Sequence, residues 1–296
     1  MSDARHEPVL LDEVVSLLAP ARGGTFVDCT TGLGGHSHAL LEGGATRLIA
    51  LDRDESALRA AAERLASYGD RVELVHSDYR EIGSVLQERG IDGVDGILAD
   101  LGVSSMQLDQ EGRGFSFRRD EPLDMRMDRS QGPTAADLIA DVDETDLANV
   151  IFQYGEERHS RRVARAIVRA REAAPLQTTG ALADVIRRAV PTRGYQRIDP
   201  ATRTFQALRI WVNRELEGLD TFLGDAARRL LAGARFAVIT FHSLEDRIVK
   251  HTFRALATAG DAWQVLTKKP VVPGDEEVAR NPRARSAKLR AIERLA

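Results

Sequence analysis

The chain has 296 residues, of which 41 are Lys or Arg and 45 are Asp or Glu, so its formal net charge is −4. This length can bury a substantial core without disulfides or metals, and the charge balance excludes a polycation that coats nucleic acid along its whole length. A single cysteine and first residues without an apolar leader predict a cytoplasmic protein. No apolar run reaches the length of a membrane span, so no membrane partner is expected.

Short apolar segments alternate with helical patterns through the first hundred residues. A brief amphipathic helix over residues 9–18, ended by Pro20, precedes them. This alternation predicts a parallel sheet covered by helices on both faces, with ligands bound at the carboxyl ends of the strands. The first four predicted strands are Thr25–Cys29, Arg47–Leu51, Arg71–His76 and Gly96–Ala99.

The alternation stops after Asp100. Residues 101–133 have no periodicity but many glycines and charges, which is typical of a segment that is either a functional loop or disordered. Helical patterns then run over residues 135–231 without a convincing strand. A buried strand pattern resumes at Arg235–Phe241 and is followed by a helical pattern, so the middle of the chain is predicted to be an insertion.

The resulting domain prediction is discontinuous. Residues 1–108 and 205–296 are expected to form the sheet-containing domain, and residues 109–204 a substrate loop with an all-helical insertion. Within the last part, segments 263–266 and 287–295 are predicted to pair as an antiparallel hairpin.

A glycine-rich turn follows the first predicted strand. Glycines there let backbone N–H groups approach a ligand, and the start of the next helix favours an anionic group. A dinucleotide-binding G-x-G-x-x-G motif would need a third glycine at position 37, where this chain has Ser37. A dehydrogenase is therefore disfavoured.

Acidic residues end the next two strands. Asp52, with Asp54 close behind, can hold the two hydroxyls of a ribose, as in sites for NAD or S-adenosylmethionine. Asp78 and Tyr79 offer a carboxylate for an adenine amine and a ring to lie against the base. Three strand ends thus address one adenosyl ligand. The alternative for each aspartate is that it caps the following helix.

Asp100 ends the fourth strand, where such a sheet faces the reacting centre. Its carboxylate could orient or deprotonate an amine, contact the methionine end of the cofactor, or cap a loop. His242 and Asp246, just after the resumed strand, are further catalytic candidates, and Asp124 and Asp128 in the long loop are other polar groups expected near the substrate.

No metal is expected. The spacing of His36 and His38, and of Asp124 and Asp128, would allow one, but solvation or hydrogen bonding explains both pairs more simply. The chain has no His/Cys cluster for zinc.

Basic charge is concentrated over residues 151–215, which contain 13 Arg against 6 acidic residues and begin inside the predicted insertion. A helical stripe of these arginines could follow a phosphate backbone while Val163 and Ile167 pack inward, although a solvated face would have the same pattern. A second basic cluster lies near the end of the chain. The candidate RNA contacts are Arg158, Arg162, Arg165, Arg169, Arg203, Arg283 and Arg285.

Nearly the whole chain resembles one known family. The segments that carry the resemblance are His6 to Leu11, Gly34 to Ser37, Asp100 to Leu108, Gly114 to Phe117, Pro122 to Asp128, Tyr154 to Arg158, Pro200 to Ile210, Phe241 to Arg247 and Asn281 to Ser286. They resemble the bacterial small-subunit rRNA (cytosine-N4) methyltransferases of the MraW type. The shorter connection between Arg254 and Lys268 and the Thr30-Thr31 pair depart from some relatives.

The resemblance implies an α/β fold: a class I, Rossmann-like S-adenosylmethionine-dependent methyltransferase sheet with an inserted all-helical domain. It also implies methylation of the exocyclic N4 amine of a decoding-centre cytosine in 16S rRNA of the small ribosomal subunit. The cofactor contacts that it implies are Gly34, Gly35, His36, Asp52, Tyr79, Asp100 and Gln107.

The chemistry requires an acceptor for an N–H proton, because the N4 lone pair is delocalised into the cytosine ring. Asp100 is the first candidate, although the turn that follows it is not the Asp/Asn-Pro-Pro-aromatic turn of many amino-methylating enzymes. Phe115, Phe117 and Tyr195 could stack on extruded bases, or the two Phe side chains could anchor the loop.

Two other functions remain open: a non-catalytic RNA-binding ribosome-assembly factor, and a methyltransferase acting on another nucleic acid or a small molecule. The assembly factor predicts loss of cofactor-facing residues, yet Gly34, Asp52 and Asp100 are all present.

Overall fold

The computed structural model describes residues 8–102, 108, 110–191, 198–260 and 262–296. Their contacts divide them into two compact units. The sheet unit contains the described residues up to Gly102 and from Leu216 onward, and the helical unit contains those from Leu108 to Glu215.

The expected boundaries at 108/109 and 204/205 therefore differ from the observed division. Position 205 lies inside one continuous helix, Ala201–Asn213, whose whole length belongs to the helical unit. A helix packs as one body, and the sequence pattern gave no sign that this one stays with the preceding helices.

The sheet unit is built on one seven-stranded sheet with the order β3-β2-β1-β4-β5-β7-β6. Strands β1 to β5 are parallel, and β7 runs antiparallel to both of its neighbours. The strands are β1 Thr25–Asp28, β2 Arg47–Asp52, β3 Val72–His76, β4 Val94–Asp100, β5 Leu230–Thr240, β6 Trp263–Val265 and β7 Lys288–Arg294.

Helices cover both faces of this sheet, and 3-10 turns are formed by Pro20–Arg22, Ala66–Arg71, Tyr79–Glu81 and Pro282–Ser286. The α-helices of the sheet unit are α1 Leu11–Leu18, α2 Gly35–Glu42, α3 Glu55–Leu65, α4 Ile82–Glu88, α10 Leu219–Arg228, α11 Ser243–Thr258 and α12 Asp275–Arg280. Those of the helical unit are α5 Ala135–Asp141, α6 Glu144–Gly155, α7 Ser160–Ala173, α8 Thr179–Ala189 and α9 Ala201–Asn213.

Alternate side chains of the central strands enter two separate cores. Phe26 and Leu48 pack with α1, α2 and α3, whereas Val27 and Ile49 pack with α4, α10 and α11. Burial on both faces explains why these strands are continuous apolar runs in the sequence. The predicted α/β class and the terminal antiparallel hairpin are confirmed.

One element was predicted wrongly. Leu230 and Leu231 fall in the expected helical stretch, but β5 begins at Leu230, which pairs with Val94 before the register shifts towards Gly96. Two adjacent apolar residues are too few to show a periodicity, so they cannot be assigned from sequence to the start of a strand or to the end of a helix.

The helical unit has its own core, formed by α5 to α9 with apolar residues of the long loop. Phe115 is buried in this core, and the Phe117 ring lies 4.7 Å from that of Phe205. The structure therefore supports loop anchoring over base stacking for these two rings. Asn213 fixes the loop further, accepting from Met127 N–H and donating to Met125 C=O, both at 2.8 Å.

Among the described residues, no helix combines the length and apolar character needed to cross a membrane.

Candidate active site

The glycine-rich turn connects β1 to the start of α2. Gly34 is the N-cap of α2 and has φ +74°, a left-handed conformation that favours glycine. Gly32 donates its N–H to Asp52 Oδ2 at 2.7 Å, which ties the turn to the end of β2. Gly35 has a different constraint, because a Cβ there would lie 2.4 Å from Pro8 Cγ.

Asp52 lies at the predicted ribose position. Its two oxygens accept from the backbone N–H groups of Gly32 at 2.7 Å and Asp54 at 2.8 Å. A carboxylate has about four lone-pair sites, so each oxygen retains one acceptor site for a hydroxyl. Burial raises the pKa of Asp52 above its ordinary value, although these hydrogen bonds oppose the shift.

The carboxylate at the end of β3 already has hydrogen-bond donors, which the sequence did not predict. Burial alone would raise the pKa of Asp78, but hydrogen bonds from Arg80 outweigh it and the pKa is lowered. Arg80 donates through Nε to Oδ1 at 2.8 Å and through Nη2 to Oδ2 at 2.6 Å. The Tyr79 ring lies 4.6 Å from that of Phe222, so a packed neighbour fixes its orientation.

Asp28, at the end of β1, holds the glycine-rich turn and α2 through two hydrogen bonds. It accepts from Ser37 Oγ at 2.6 Å and from Thr30 N–H at 3.1 Å. Burial raises the pKa of Asp28 to about 6, against the opposing effect of these two hydrogen bonds.

Asp100 is the acidic group at the end of β4. Its backbone N–H donates to Thr30 Oγ1 at 2.6 Å, and its Oδ2 lies 3.8 Å from His36 Nδ1, beyond hydrogen-bond length. The side chain is 25 % exposed, yet Oδ1 is enclosed and has no hydrogen-bond partner among the described residues. Leaving a buried carboxyl oxygen without a donor is costly, so this atom suits a ligand N–H.

The electrostatics around Asp100 favour a cationic ligand. Burial raises the pKa of Asp100 well above its ordinary value, and the negative charges of Asp28 and Glu245 add to the effect. A positive ligand would relieve this repulsion. His36 is fixed nearby through Nε2, which lies 3.0 Å from Val9 O and must carry the proton because a carbonyl only accepts.

His242 lies at the N-cap of α11 and forms a capping box with Glu245. Glu245 accepts from Phe241 N–H at 2.9 Å, and its Oε1 lies 3.1 Å from His242 Nε2. Although this separation is short, it is not a hydrogen bond: His242 Nε2 has no hydrogen-bond partner among the described residues. The structure therefore gives His242 a helix-capping contact near the end of β5.

Asp246 is engaged by β7. Its Oδ1 lies 2.6 Å from Arg290 Nε and its Oδ2 lies 3.2 Å from Lys288 Nζ. Burial would raise the pKa of Asp246, but the hydrogen bonds and charges of these two cations outweigh it and lower the pKa. These contacts indicate a structural role, and we leave Asp246 out of the proposed chemistry.

Other predicted groups lie in the helical unit or outside the described residues. Asp124 is held by Arg126, whose Nε lies 2.8 Å from Oδ1, within the helical unit. Gln107 and Tyr195 lie outside the described residues.

The arrangement fits an adenosyl ligand with a positively charged end. The first turn of α2 has no side-chain cap and offers its backbone N–H groups. Asp52 retains acceptor sites for a ribose, Tyr79 presents a ring, and Asp100 has a buried oxygen without a hydrogen-bond partner among the described residues. The carboxyl ends of β1 to β4 therefore carry candidate hydrogen-bond donors for an anionic group, acceptors for a ribose and a carboxylate for a positively charged group.

Comparison with known proteins decides the family. A family model described as the MraW methylase family matches residues 3–295. The chain belongs to the MraW methylase family. Its relatives include proteins named ribosomal RNA small subunit methyltransferase H, one from Bradyrhizobium diazoefficiens, 53% identical over 99% of this chain and 93% of that protein. Another, from Geobacter sp., is 49% identical over 100% of both chains.

The chain is also similar to a more distant protein of known structure. An rRNA methylase from Streptococcus thermophilus has a TM-score of 0.42 and 13% identity, covering 99% of this chain and 100% of that one.

The predicted RNA contacts of this MraW methylase lie on its surface. The stripe on α7 is exposed at Arg162, Arg165 and Arg169, while Val163 and Ile167 are fully buried as predicted. The remaining candidates are also exposed: Arg158, Arg203, Arg283 and Arg285. Arg165 lies 3.1 Å from Glu144 and Arg203 lies 3.8 Å from Glu157, so these two are already paired.

Sequence reasoning missed two groups at the site of the MraW methylase. Asp28 was visible as the polar end of an apolar strand, which is the same signal that identified Asp52. Glu245 had a weaker signal, the three-residue spacing from His242 that forms a capping box. That spacing predicts a helix start and carries no information about the neighbouring Asp100.

Asp28 makes a testable contribution to the pH dependence of stability. Its pKa is about 6 in the native protein, against an ordinary value of 3.8, so the native state holds this proton more tightly than the unfolded chain does. The group's stabilising contribution is full below about pH 4 and is lost as the pH rises through about 6, by about 3 kcal/mol at most.

The matched variant is Asp28→Asn, which retains the shape and can still pair with Ser37 and Thr30. Urea unfolding of the ligand-free proteins between pH 4 and 7.5 should show the variant gaining free energy of unfolding relative to wild type as the pH rises. A difference between the two proteins that does not vary with pH would contradict the assigned pKa.

Proposed function

We propose that this chain methylates the exocyclic N4 amine of a cytosine at the decoding centre of 16S rRNA in the small ribosomal subunit, in the cytoplasm. The coarser function, methylation of small-subunit rRNA, is supported by membership of the MraW methylase family and by the names of relatives about half identical over the full chain. The observation that supports an amine acceptor is the Oδ1 of Asp100, which is buried and has no hydrogen-bond partner among the described residues. The cytosine and its place in the decoding centre rest on the family resemblance.

S-adenosylmethionine is the methyl donor, and when bound it supplies an electrophilic methyl group on a positively charged sulfur. The Gly34 N–H donates to Thr31 O within the turn, so the backbone N–H groups of the first turn of α2, beginning with Gly35, receive the anionic end of the cofactor. Asp52 accepts from the ribose hydroxyls and Tyr79 lies against the base. His36 and Gln107 complete the proposed set of cofactor contacts, together with Asp100.

Asp100 is the proposed proton acceptor. As the N4 lone pair forms the new N–C bond, the sulfur–methyl bond breaks and N4 becomes acidic. The Asp100 carboxylate takes the N4 proton, so the methylated amine leaves neutral. Burial and the charges of Asp28 and Glu245 raise the pKa of Asp100, which makes its carboxylate a stronger base than an exposed aspartate.

The exposed arginines are the proposed RNA contacts. Phosphate contacts give position and affinity without reading the base. The candidates are Arg158, Arg162, Arg165, Arg169, Arg203, Arg283 and Arg285.

The test is transfer of labelled methyl from S-adenosylmethionine to small ribosomal subunits isolated from cells that lack this protein. Nucleoside mass analysis of the recovered 16S rRNA should find N4-methylcytidine, and mass analysis of its ribonuclease fragments should locate that nucleoside at one position in the decoding centre. Subunits and naked 16S rRNA should be assayed in parallel, because the acceptor can be either.

Two results would overturn the proposal. A methyl group on another atom of a base would retain rRNA methylation but reject the N4 amine. An absence of transfer to both acceptors, with cofactor binding demonstrated by calorimetry, would favour the assembly-factor alternative.

A further inference from the structure

The helical unit exposes an aromatic ring at a basic end of two paired helices. Phe152, in the last turn of α6, is 59% exposed, and it is the one aromatic among the large apolar side chains found exposed in the described part of the chain. An isolated exposed aliphatic side chain is ordinary. A ring this exposed is notable because of what surrounds it.

Exposed arginines lie at the same end of helices α6 and α7 as Phe152. Helices α6 and α7 are joined by only four residues, 156–159, so the last turn of α6 lies beside the first turn of α7. Arg158 precedes that first turn, and Arg161 and Arg162 lie in it. All three are exposed.

These arginines are not committed to ion pairs. Arg158, Arg161 and Arg162 have no acidic partner among the residues that the structure describes. Arg203 joins them from α9, because its backbone packs against Gly155, where a Cβ would lie 2.5 Å from the Arg203 carbonyl oxygen. Its guanidinium lies 3.8 Å from the buried Glu157.

We infer that this end of the helical unit binds single-stranded RNA, with Phe152 stacking on an unpaired base while Arg158, Arg161 and Arg162 contact its phosphates. Unpaired bases expose their faces to aromatic side chains, and neighbouring cations track the backbone. An exposed ring and exposed arginines at the same end of two consecutive helices match both parts of such a ligand. The inference rests on the proposed function and adds Phe152 and Arg161 to its RNA contacts.

The experiment measures binding of a fluorescently labelled 12-nucleotide single-stranded RNA, and of a duplex RNA of the same length, across a range of salt concentrations. Phe152→Ala should weaken single-strand binding roughly 5- to 100-fold and leave duplex binding unchanged, since a duplex hides its base faces. Phe152→Trp should bind the single strand at least as well as wild type.

Arg161→Ala should reduce the slope of log affinity against log salt for the single strand by about 0.7, whereas Phe152→Ala should not change that slope. Leu231→Ala, at a 45% exposed apolar side chain on β5, and Arg59→Ala, at an exposed arginine paired with Glu55, are the matched controls. Both should bind as wild type. Circular dichroism and thermal unfolding confirm that each variant is folded.

Three outcomes would overturn the inference: unchanged single-strand binding by Phe152→Ala, equal loss on single strand and duplex, or weakened binding to ribosomal subunits without any loss on naked RNA. The last would show that Phe152 contacts a feature of the assembled subunit other than a free unpaired base. The proposed function fails separately, when wild-type protein forms no N4-methylcytidine on subunits, so the two failures are distinguishable.

Discussion

Asp100→Asn is expected to lower the turnover number for methyl transfer by about 10² to 10⁴, the usual contribution of a general base. Asparagine has the same shape but cannot take the proton that N4 loses. Because burial and neighbouring carboxylates raise the pKa of Asp100, wild-type turnover should increase with pH through that raised pKa, and the variant should lose this increase. Single-turnover transfer of labelled methyl to subunits measures both effects.

Cofactor affinity distinguishes the two chemical roles that the sequence left open. A proton acceptor predicts a large loss of turnover with less than about a tenfold change in the dissociation constant for S-adenosylmethionine. If turnover at saturating cofactor were normal and only the dissociation constant rose, Asp100 would instead hold the methionine end. Asp143→Asn is the matched control, since Asp143 caps α6 and asparagine caps a helix equally well.

The positions of the site could be predicted because strand ends are visible in a sequence. Asp52 and Asp100 each follow an apolar run, and parallel strands bring their carboxyl ends to one edge. The same rule identifies Asp28. What each carboxylate does there could not be predicted, because its partners come from distant segments: Gly32 binds Asp52 and Thr30 binds the Asp100 backbone.

The sequence also could not predict which charged groups pair with one another. Asp246 follows the resumed strand just as a catalytic residue would, but the antiparallel strand β7 places Lys288 and Arg290 against it. That pairing depends on a register between segments more than forty residues apart, and periodicity carries no information about such a register. The terminal hairpin was predictable, whereas its insertion beside β5 was not.

Asp246→Asn is expected to lower the free energy of unfolding by about 3 kcal/mol, because breaking a buried pair leaves the other charge uncompensated. Arg290 is only 6% exposed and Asp246 is 13% exposed, so water cannot replace the lost carboxylate fully. The lowered pKa of Asp246 means that its stabilising contribution is present at neutral pH and is lost as the pH falls through that pKa. Urea unfolding at pH 7 and at about pH 2.5 measures the effect, because the loss occurs below the ordinary pKa of an aspartate.

A double variant separates structure from catalysis. The double variant Asp246→Asn, Arg290→Met also removes the cation that Asp246→Asn leaves unpaired. It should regain part of the lost free energy of unfolding, because burying an apolar side chain beside an amide costs less than burying an unpaired guanidinium. Turnover per folded molecule should stay within a few-fold of wild type at a temperature where all variants are folded. A variant that kept its stability but lost turnover a hundredfold would return Asp246 to the reaction, because its carboxylate would then be needed for chemistry and dispensable for the pairing of α11 with β7.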